Sequence, residues 1–221
     1  MGAPITVPVM TLGSCVLFPQ QLLPLRIFEP RYRLMLKEAL AGDRLFAISL
    51  LDTDQLSEDN PEPPCPMTCI GRIINHAPLP DGTSQIILEG LRRARVKKVA
   101  CQEPYPRLEI TAAIDMEIIN PAECLPPIAK IIKFSEKTLQ EIGEEAAPLR
   151  EKIRSLVNRP GDLADIVAGN FINDTDLRRE LLECLDPLKR LIKVAQVTSS
   201  LNLNQRKIDE EKGPNHGIGL N

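Results

Sequence analysis

Cys65 and Cys69 stand four positions apart in Cys65-Pro66-Met67-Thr68-Cys69, a spacing that could place two thiolates on one zinc ion. Completing such a site takes two more ligands, and only His76 lies nearby. The pair therefore reads as two ordinary thiols beside a loop. The second histidine, His216, falls in the C-terminal tail, so no catalytic triad can be assembled around either ring. Glu144 and Glu145 are adjacent, and helix neighbours point apart rather than sharing a proton. The chain has no G-x-S-x-G, H-E-x-x-H or G-x-x-x-x-G-K-[ST] run, and no glycine-rich phosphate loop after a strand. No catalytic residue, cofactor or metal ligand is assigned, and the expectation is a protein that is not an enzyme.

One run could meet phosphates: Leu91-Arg92-Arg93-Ala94-Arg95-Val96-Lys97-Lys98-Val99. As a strand it sends Ala94 and Val96 to the core and Arg93, Arg95 and Lys97 to water. No aromatic residues interleave to stack bases. The net charge of -3 and an isoelectric point near 5.6 also lack the basic excess of a nucleic-acid binder. Nucleic acid is thus not the expected partner, and RNA binding is the alternative.

The elements that would carry these residues fall into two regimes. The 221 residues are 43% hydrophobic and 26% charged, enough for one large or two small globular domains. Only 3% are aromatic and there is no Trp, so the core is aliphatic. Six cysteines are scattered at 15, 65, 69, 101, 124 and 184 rather than clustered as a disulfide framework, and no secretory leader or membrane span is read. Free thiols in a cytoplasmic protein are expected. Met1–Thr6 fits a loose myristoylation pattern, but Pro4 stiffens it and a plain N-terminus is the reading.

Residues 1–119 alternate short apolar runs with turn signals. Strands are expected over Ile5–Val9, Ser14–Phe18, Leu22–Phe28, Arg44–Leu51, Cys69–Ala77, Ser84–Gly90, Arg92–Ala100 and Arg107–Met116. Pro80-Asp81-Gly82 is a hairpin turn, and Pro30 opens one helix that stops near Gly42. Asp52–Pro66 is acidic and proline-rich and reads as an exposed loop. Residues 120–127 hold three prolines and read as a stiff connection. Residues 128–204 carry helical periodicity: Ile128–Ile142, Pro148–Asn158, Leu163–Ile172, and a fourth helix capped at Asn173-Asp174-Thr175. Asp186-Pro187 either kinks that helix or caps a new one. Residues 205–221 read as a disordered tail. The fold class is α+β, a β-rich curled sheet or small barrel with one helix, followed by a small helical bundle.

The segment 16–36, VLFPQQLLPLRIFEPRYRLML, places prolines and charges inside an apolar run. Leu17-Phe18-Pro19 ends one strand, Leu22–Phe28 forms another, and Glu29-Pro30 caps the helix with the carboxylate at its positive end. Tyr32 points to the core, while Arg26 or Arg31 pairs with Glu29 or bonds backbone carbonyls. This order, V-L-F-P then L-P-L-R-I-F-E-P-R-Y, resembles the signature of the N-terminal substrate-binding domain of Lon proteases, also found in cereblon. Cys69–Ile73, Pro80–Gly82, Glu89–Val96 and Pro104–Pro106 resemble the family's later strands and turns, and Leu163–Ala168 and Glu180–Glu183 its bundle, so the resemblance covers about residues 5–200.

The resemblance implies a PUA-like pseudo-barrel followed by helices, and a role in engaging unfolded or degron-bearing polypeptides, or as an adaptor to a separate protease. The family's ATPase and Ser–Lys protease motifs are not present in these 221 residues, so protease activity does not carry over. The motif residues Phe18, Pro19, Pro24, Arg26, Phe28, Glu29, Pro30, Arg31 and Tyr32 are the candidate site, structural with a possible binding role. Client proteins are the expected partners, with no membrane and no cofactor.

Overall fold

The computed structural model describes residues 3–211, with side chains through Leu201. Met1, Gly2, His216 and the tail from 212 onward lie outside the described residues. Six strands, β1 (Ile5–Leu12), β2 (Leu22–Ile27), β3 (Leu45–Leu51), β4 (Pro64–Pro78), β5 (Ser84–Cys101) and β6 (Arg107–Ala112), pair in the order β2-β5-β4-β3-β1-β6. β6 also pairs with β5, so β5-β4-β3-β1-β6 closes into a ring and β2 is left on its margin. The β1–β3 pair is parallel, and the crossover it needs is supplied by β2 and helix α1 (Pro30–Ala41). Val7, Val9, Ala47, Ile70, Ala94, Leu108 and Ile110, drawn from all five ring strands, fill the ring.

The opposite faces of β1, β3 and β4 belong to a second, larger core shared with α1 and the helical half. The helices are α2 (Leu125–Ile142), α3 (Ala147–Ser155), α4 (Pro160–Phe171), α5 (Thr175–Glu183) and α6 (Pro187–Glu211). Asp186 starts a new helix rather than kinking an old one: its carboxylate accepts from Leu188 N–H and Lys189 N–H. α6 then continues through Glu211, beyond the expected start of the tail. The 120–127 run is helical too. Asn120 caps a 3₁₀ turn over Pro121–Cys124, and Pro126 and Pro127 occupy the first turn of α2, where a missing N–H costs nothing.

Other expectations need correcting. Ser14–Phe18 is not a strand. Val16, Leu17 and Phe18 are buried in irregular chain whose polar groups find side-chain partners instead. Phe18 N–H donates to Gln21 Oε1 at 3.1 Å, and Arg178 of α5 donates to Val16 O. β5 runs unbroken through Gly90, and β6 stops at Ala112. At Gly90 a Cβ would lie 2.0 Å from Phe18 O, so only glycine lets the two backbones approach.

Arg93 does not face water. It is 3% exposed, because the sheet is covered on both faces at that point and the bundle lies over the Arg93 side. Its guanidinium donates twice to Asp165 of α4, at 2.6 and 2.7 Å, and to Leu182 O and Leu181 O. Burial opposes its charge, but the Asp165 carboxylate more than offsets this and holds the guanidinium above its ordinary pKa. Arg190 of α6 joins the cluster. Its Nε lies 2.8 Å from Asp165 Oδ1, an ion contact too poorly aligned to be a hydrogen bond, while its terminal nitrogens meet Asp115 at 2.6 and 3.2 Å. One buried carboxylate thus meets two arginines, tying Arg93 of the barrel and Arg190 of α6 to α4.

Candidate functional site

Beyond the ring, β2 and the facing halves of β5 and β4 extend as a three-stranded arm. Leu22–Ile27 pairs with Ser84–Glu89, which pairs in turn with Arg72–Pro78. Pro80-Asp81-Gly82 forms the expected turn at the tip. Leu79 N–H donates to Thr83 O, Gly82 N–H donates to Leu79 O, and Gly82 has φ +78. Asp81 organises the tip. It accepts from Thr83 N–H at 3.0 Å and Thr83 Oγ1 at 2.7 Å, and takes an ion pair from Arg26 at 2.6 Å. These bonds, Thr83's first and Arg26's after them, hold the Asp81 carboxyl below its ordinary pKa.

The Leu79–Thr83 bond also fixes the phase of the arm. Thr83 directs its carbonyl to β4, so Ser84, Ile86 and Leu88 direct their backbone groups to β2, and Ile27, Leu25 and Leu23 answer them. Gly90 N–H donating to Gln21 O agrees with that phase. Leu22, Pro24 and Arg26 consequently turn their backbone groups to the open edge. Pro24, in the middle, has no N–H to offer, and a proline at that place guards an edge against strand addition.

The side chains of Leu22, Pro24, Arg26 and Phe28 are all exposed, Leu22 at 52% and Phe28 at 61%. Pro24 and Arg26 line a shallow groove of about 500 Å³ with Asn75, Ala77, Gln85 and Ile87. Ile74, set in a bulge where β4 slips against β5, is exposed as well. The arm therefore presents aliphatic and aromatic surface with two exposed cations, Arg26 and Arg72, and hydrogen-bonding amides. A second exposed apolar series, Ile114, Met116 and Ile119 at 98%, lies on the segment joining β6 to α2.

The structure divides the nine motif residues. Phe18 and Pro19 are buried at the seam between barrel and bundle, with the Arg178 guanidinium 5.6 Å from the centre of the Phe18 ring. Gln21, which the sequence reading passed over, fastens the same seam by donating to Gly169 O of α4 at 2.7 Å. Tyr32 is buried beneath Arg31, 4.6 Å from its ring centre. Glu29 sits at the start of α1, but its carboxylate pairs with Arg31 at 3.0 Å instead of capping a backbone N–H. Arg31 also grips Glu62 in a bidentate pair at 2.6 and 2.9 Å. Pro24, Arg26, Phe28 and Pro30 are exposed.

The thiol pair is not a metal centre. Cys65 and Cys69 lie four steps apart along β4, about 13 Å between their Cα atoms, too far to share an ion. Burial pushes the Cys69 thiol up to about 12 and raises Cys65 too, so neither supplies a thiolate. Among the described residues no group of His, Cys, Asp and Glu could hold a metal, and no helix is long and apolar enough to cross a membrane. The basic run surrenders Arg93 to the interior, and its Lys98 pairs with Glu109 at 3.4 Å.

Comparison with known proteins matches residues 6–199 to the family described as the ATP-dependent protease La (LON) substrate-binding domain. The chain is 29% identical over 194 residues to a Lon protease of Solibacter usitatus, covering 86% of this chain and 23% of that one. It is 30% identical over 193 residues to a Lon protease of Chloroflexus aggregans, covering 85% and 23%. Among solved structures, the N-terminal domain of Mycobacterium avium complex Lon protease superposes with a TM-score of 0.67 at 22% identity, covering 88% of this chain and 98% of that one. A Lon N-terminal domain protein from Xanthomonas campestris gives 0.63 at 20% identity, covering 86% and 96%. These structures share the barrel-and-bundle fold.

Proposed function

Because this chain belongs to the LON substrate-binding domain family, we propose that it acts by binding, holding unfolded or degron-bearing polypeptide segments against the exposed face of the β2–β5–β4 arm. The observation that carries the reading is the row Leu22, Pro24, Arg26 and Phe28 beside Ile74 and Ile87, apolar surface left in water at a sheet margin. Contact through side chains is favoured over full strand addition, since Pro24 removes the central donor of the open edge.

The chain spans 23% of the length of the Lon proteases it matches. A bound client passed on to a separate protease would make the protein an adaptor. Six free cysteines support a cytoplasmic setting.

The test uses a permanently unfolded model polypeptide and Leu22→Ser/Phe28→Ser protein. The wild type should bind, and the variant should bind at least about tenfold more weakly with an unchanged melting temperature. No binding by the wild type, or equal binding by the variant, would refute the proposal. Binding only of single-stranded RNA, lost with rising salt, would favour a nucleic-acid role instead.

A further inference from the structure

The other side of the arm holds a cleft of different character. It has a volume of about 600 Å³ and lies between α1 and the β4–β5 hairpin. Leu34, Leu36 and Leu40 form an aliphatic wall on the helix side; His76, Pro78 and Ser84 form the other. His76 Nε2 and Ser84 Oγ are 3.1 Å apart, so these two satisfy one another. Arg33 and Lys37, one turn apart on α1, line the same cleft. Arg33 reaches across to the turn so closely that a Cβ on Gly82 would sit 3.0 Å from its Nη2.

The charges here are unbalanced. No carboxylate lines the cleft. The nearby acids are committed elsewhere: Asp81 to Arg26 and Thr83, Glu38 to Tyr105 and Arg107, and Glu29 and Glu62 to Arg31. Among the described residues neither Arg33 nor Lys37 makes an ion pair, whereas Arg26 on the arm and Arg31 on α1 each do. Two unneutralised cations above an aliphatic wall complement a chain that alternates carboxylates with apolar side chains. Arg33 can take a carboxylate through two N–H groups, and Lys37 supplies a second point of charge.

We propose that this cleft binds acidic polypeptide segments, with glutamate or aspartate side chains at Arg33 and Lys37 and an intervening apolar side chain against Leu34 and Leu40. The assignment rests on the polypeptide-recognition reading above and names the class of segment selected. No Phe, Tyr or Trp lines the cleft to stack a nucleobase, and its one imidazole, His76, is engaged by Ser84, which sets it apart from a single-strand nucleic-acid groove with its stacking aromatics.

The experiment measures anisotropy of a labelled eight-residue peptide alternating leucine and glutamate, with its leucine–lysine counterpart as control. The Arg33→Glu/Lys37→Glu variant should raise the Kd of the acidic peptide at least about tenfold. The matching charge reversal Lys130→Glu/Lys133→Glu, at exposed positions of α2, should leave that Kd within about twofold, and circular dichroism should show both variants folded. The lysine peptide should bind the charge-reversed variant better than the wild type. An acidic peptide indifferent to charge reversal, or displaced from the wild type by oligouridylate, would overturn the proposal. If the wild type still holds the unfolded model polypeptide in that event, the cleft assignment alone has failed. If it holds neither probe, the recognition reading has failed with it.

Discussion

Replacing Asp165 with Asn keeps the size of the side chain and removes one negative charge from the seam between barrel and bundle. The two guanidiniums then fare differently. Arg190 keeps Asp115 and its bond to Cys184 O at 2.6 Å. Arg93 loses the only carboxylate it bonds among the described residues and keeps two backbone carbonyls, at 3% exposure. Breaking a buried pair from one side costs ~3–5 kcal/mol, because the surviving charge stays desolvated. A domain of ordinary stability has ~5–15 kcal/mol to lose, so D165N should remove about a fifth of it or more. D115N is the internal control. Asp115 is 35% exposed, and Arg190 retains Asp165, so about 1 kcal/mol is expected. Urea unfolding at neutral pH, followed by far-UV circular dichroism, gives both numbers from the midpoint and slope. A third variant, Arg93→Met/Asp165→Leu/Arg190→Met with Asp115→Asn, should recover most of the D165N loss, since this replacement leaves no charge of the cluster to desolvate. D165N unfolding within ~1 kcal/mol of wild type, or D115N costing as much as D165N, would refute the account in which Asp165 is the carboxylate that the buried Arg93 depends on.

Other consequences can be checked directly. Native-state thiol alkylation should modify exposed Cys101 first and Cys69 last, since burial lifts Cys69 to about 12; equal rates without denaturant would contradict the packing. The Asp81 carboxyl, followed by NMR, should titrate below 3.8, its ordinary value. A depressed folded-state pKa means its contribution is complete above that value and fades as pH falls through the folded midpoint, so the hairpin tip should loosen only in acid. Gly90→Ala forces a methyl onto Phe18 O and should cost at or above the ~1–3 kcal/mol typical of overpacking, read as a lowered urea midpoint. Pro24→Val restores the missing edge donor; concentration-dependent self-association by light scattering should rise, and an unchanged profile would mean that Pro24 does not guard the edge.

Much of the architecture was legible because local signals and tertiary demands agree. Prolines fall at the first turns of α1, α2, α3 and α4, and Asp174 caps α5 by accepting from Leu177 N–H at 2.8 Å. What local pattern could not show depends on partners far along the chain. Ser14–Phe18 has the apolar look of a strand, yet its backbone bonds go to the Gln21 side chain and to Arg178, the latter 162 residues away and beyond any local window. Arg93 reads as a solvated strand residue until α4 is known to cover that face. The motif at 16–36 was visible as a unit, but its division into a buried seam and an exposed arm required the register of β2 on β5. The cleft cations were missed because Arg33 and Lys37 look like any polar helix face; what singles them out is the absence of an acid across the gap.

The ring's closure has a bearing on how the protein is made. Ile5 at its start is opposite Ile110, about a hundred residues later. At about 5–20 residues per second, the first strand emerges on the order of 5–20 s before the partner that seals it, and such long-range pairings are also slow to find. Through that interval ITVPVMTL is a bare β-forming segment beside a crowded ribosome. Pro8 interrupts it at its centre and, opposite Arg107 in the finished ring, needs no donor of its own. A residue that looks like a flaw in the finished strand serves as a gatekeeper for the nascent one.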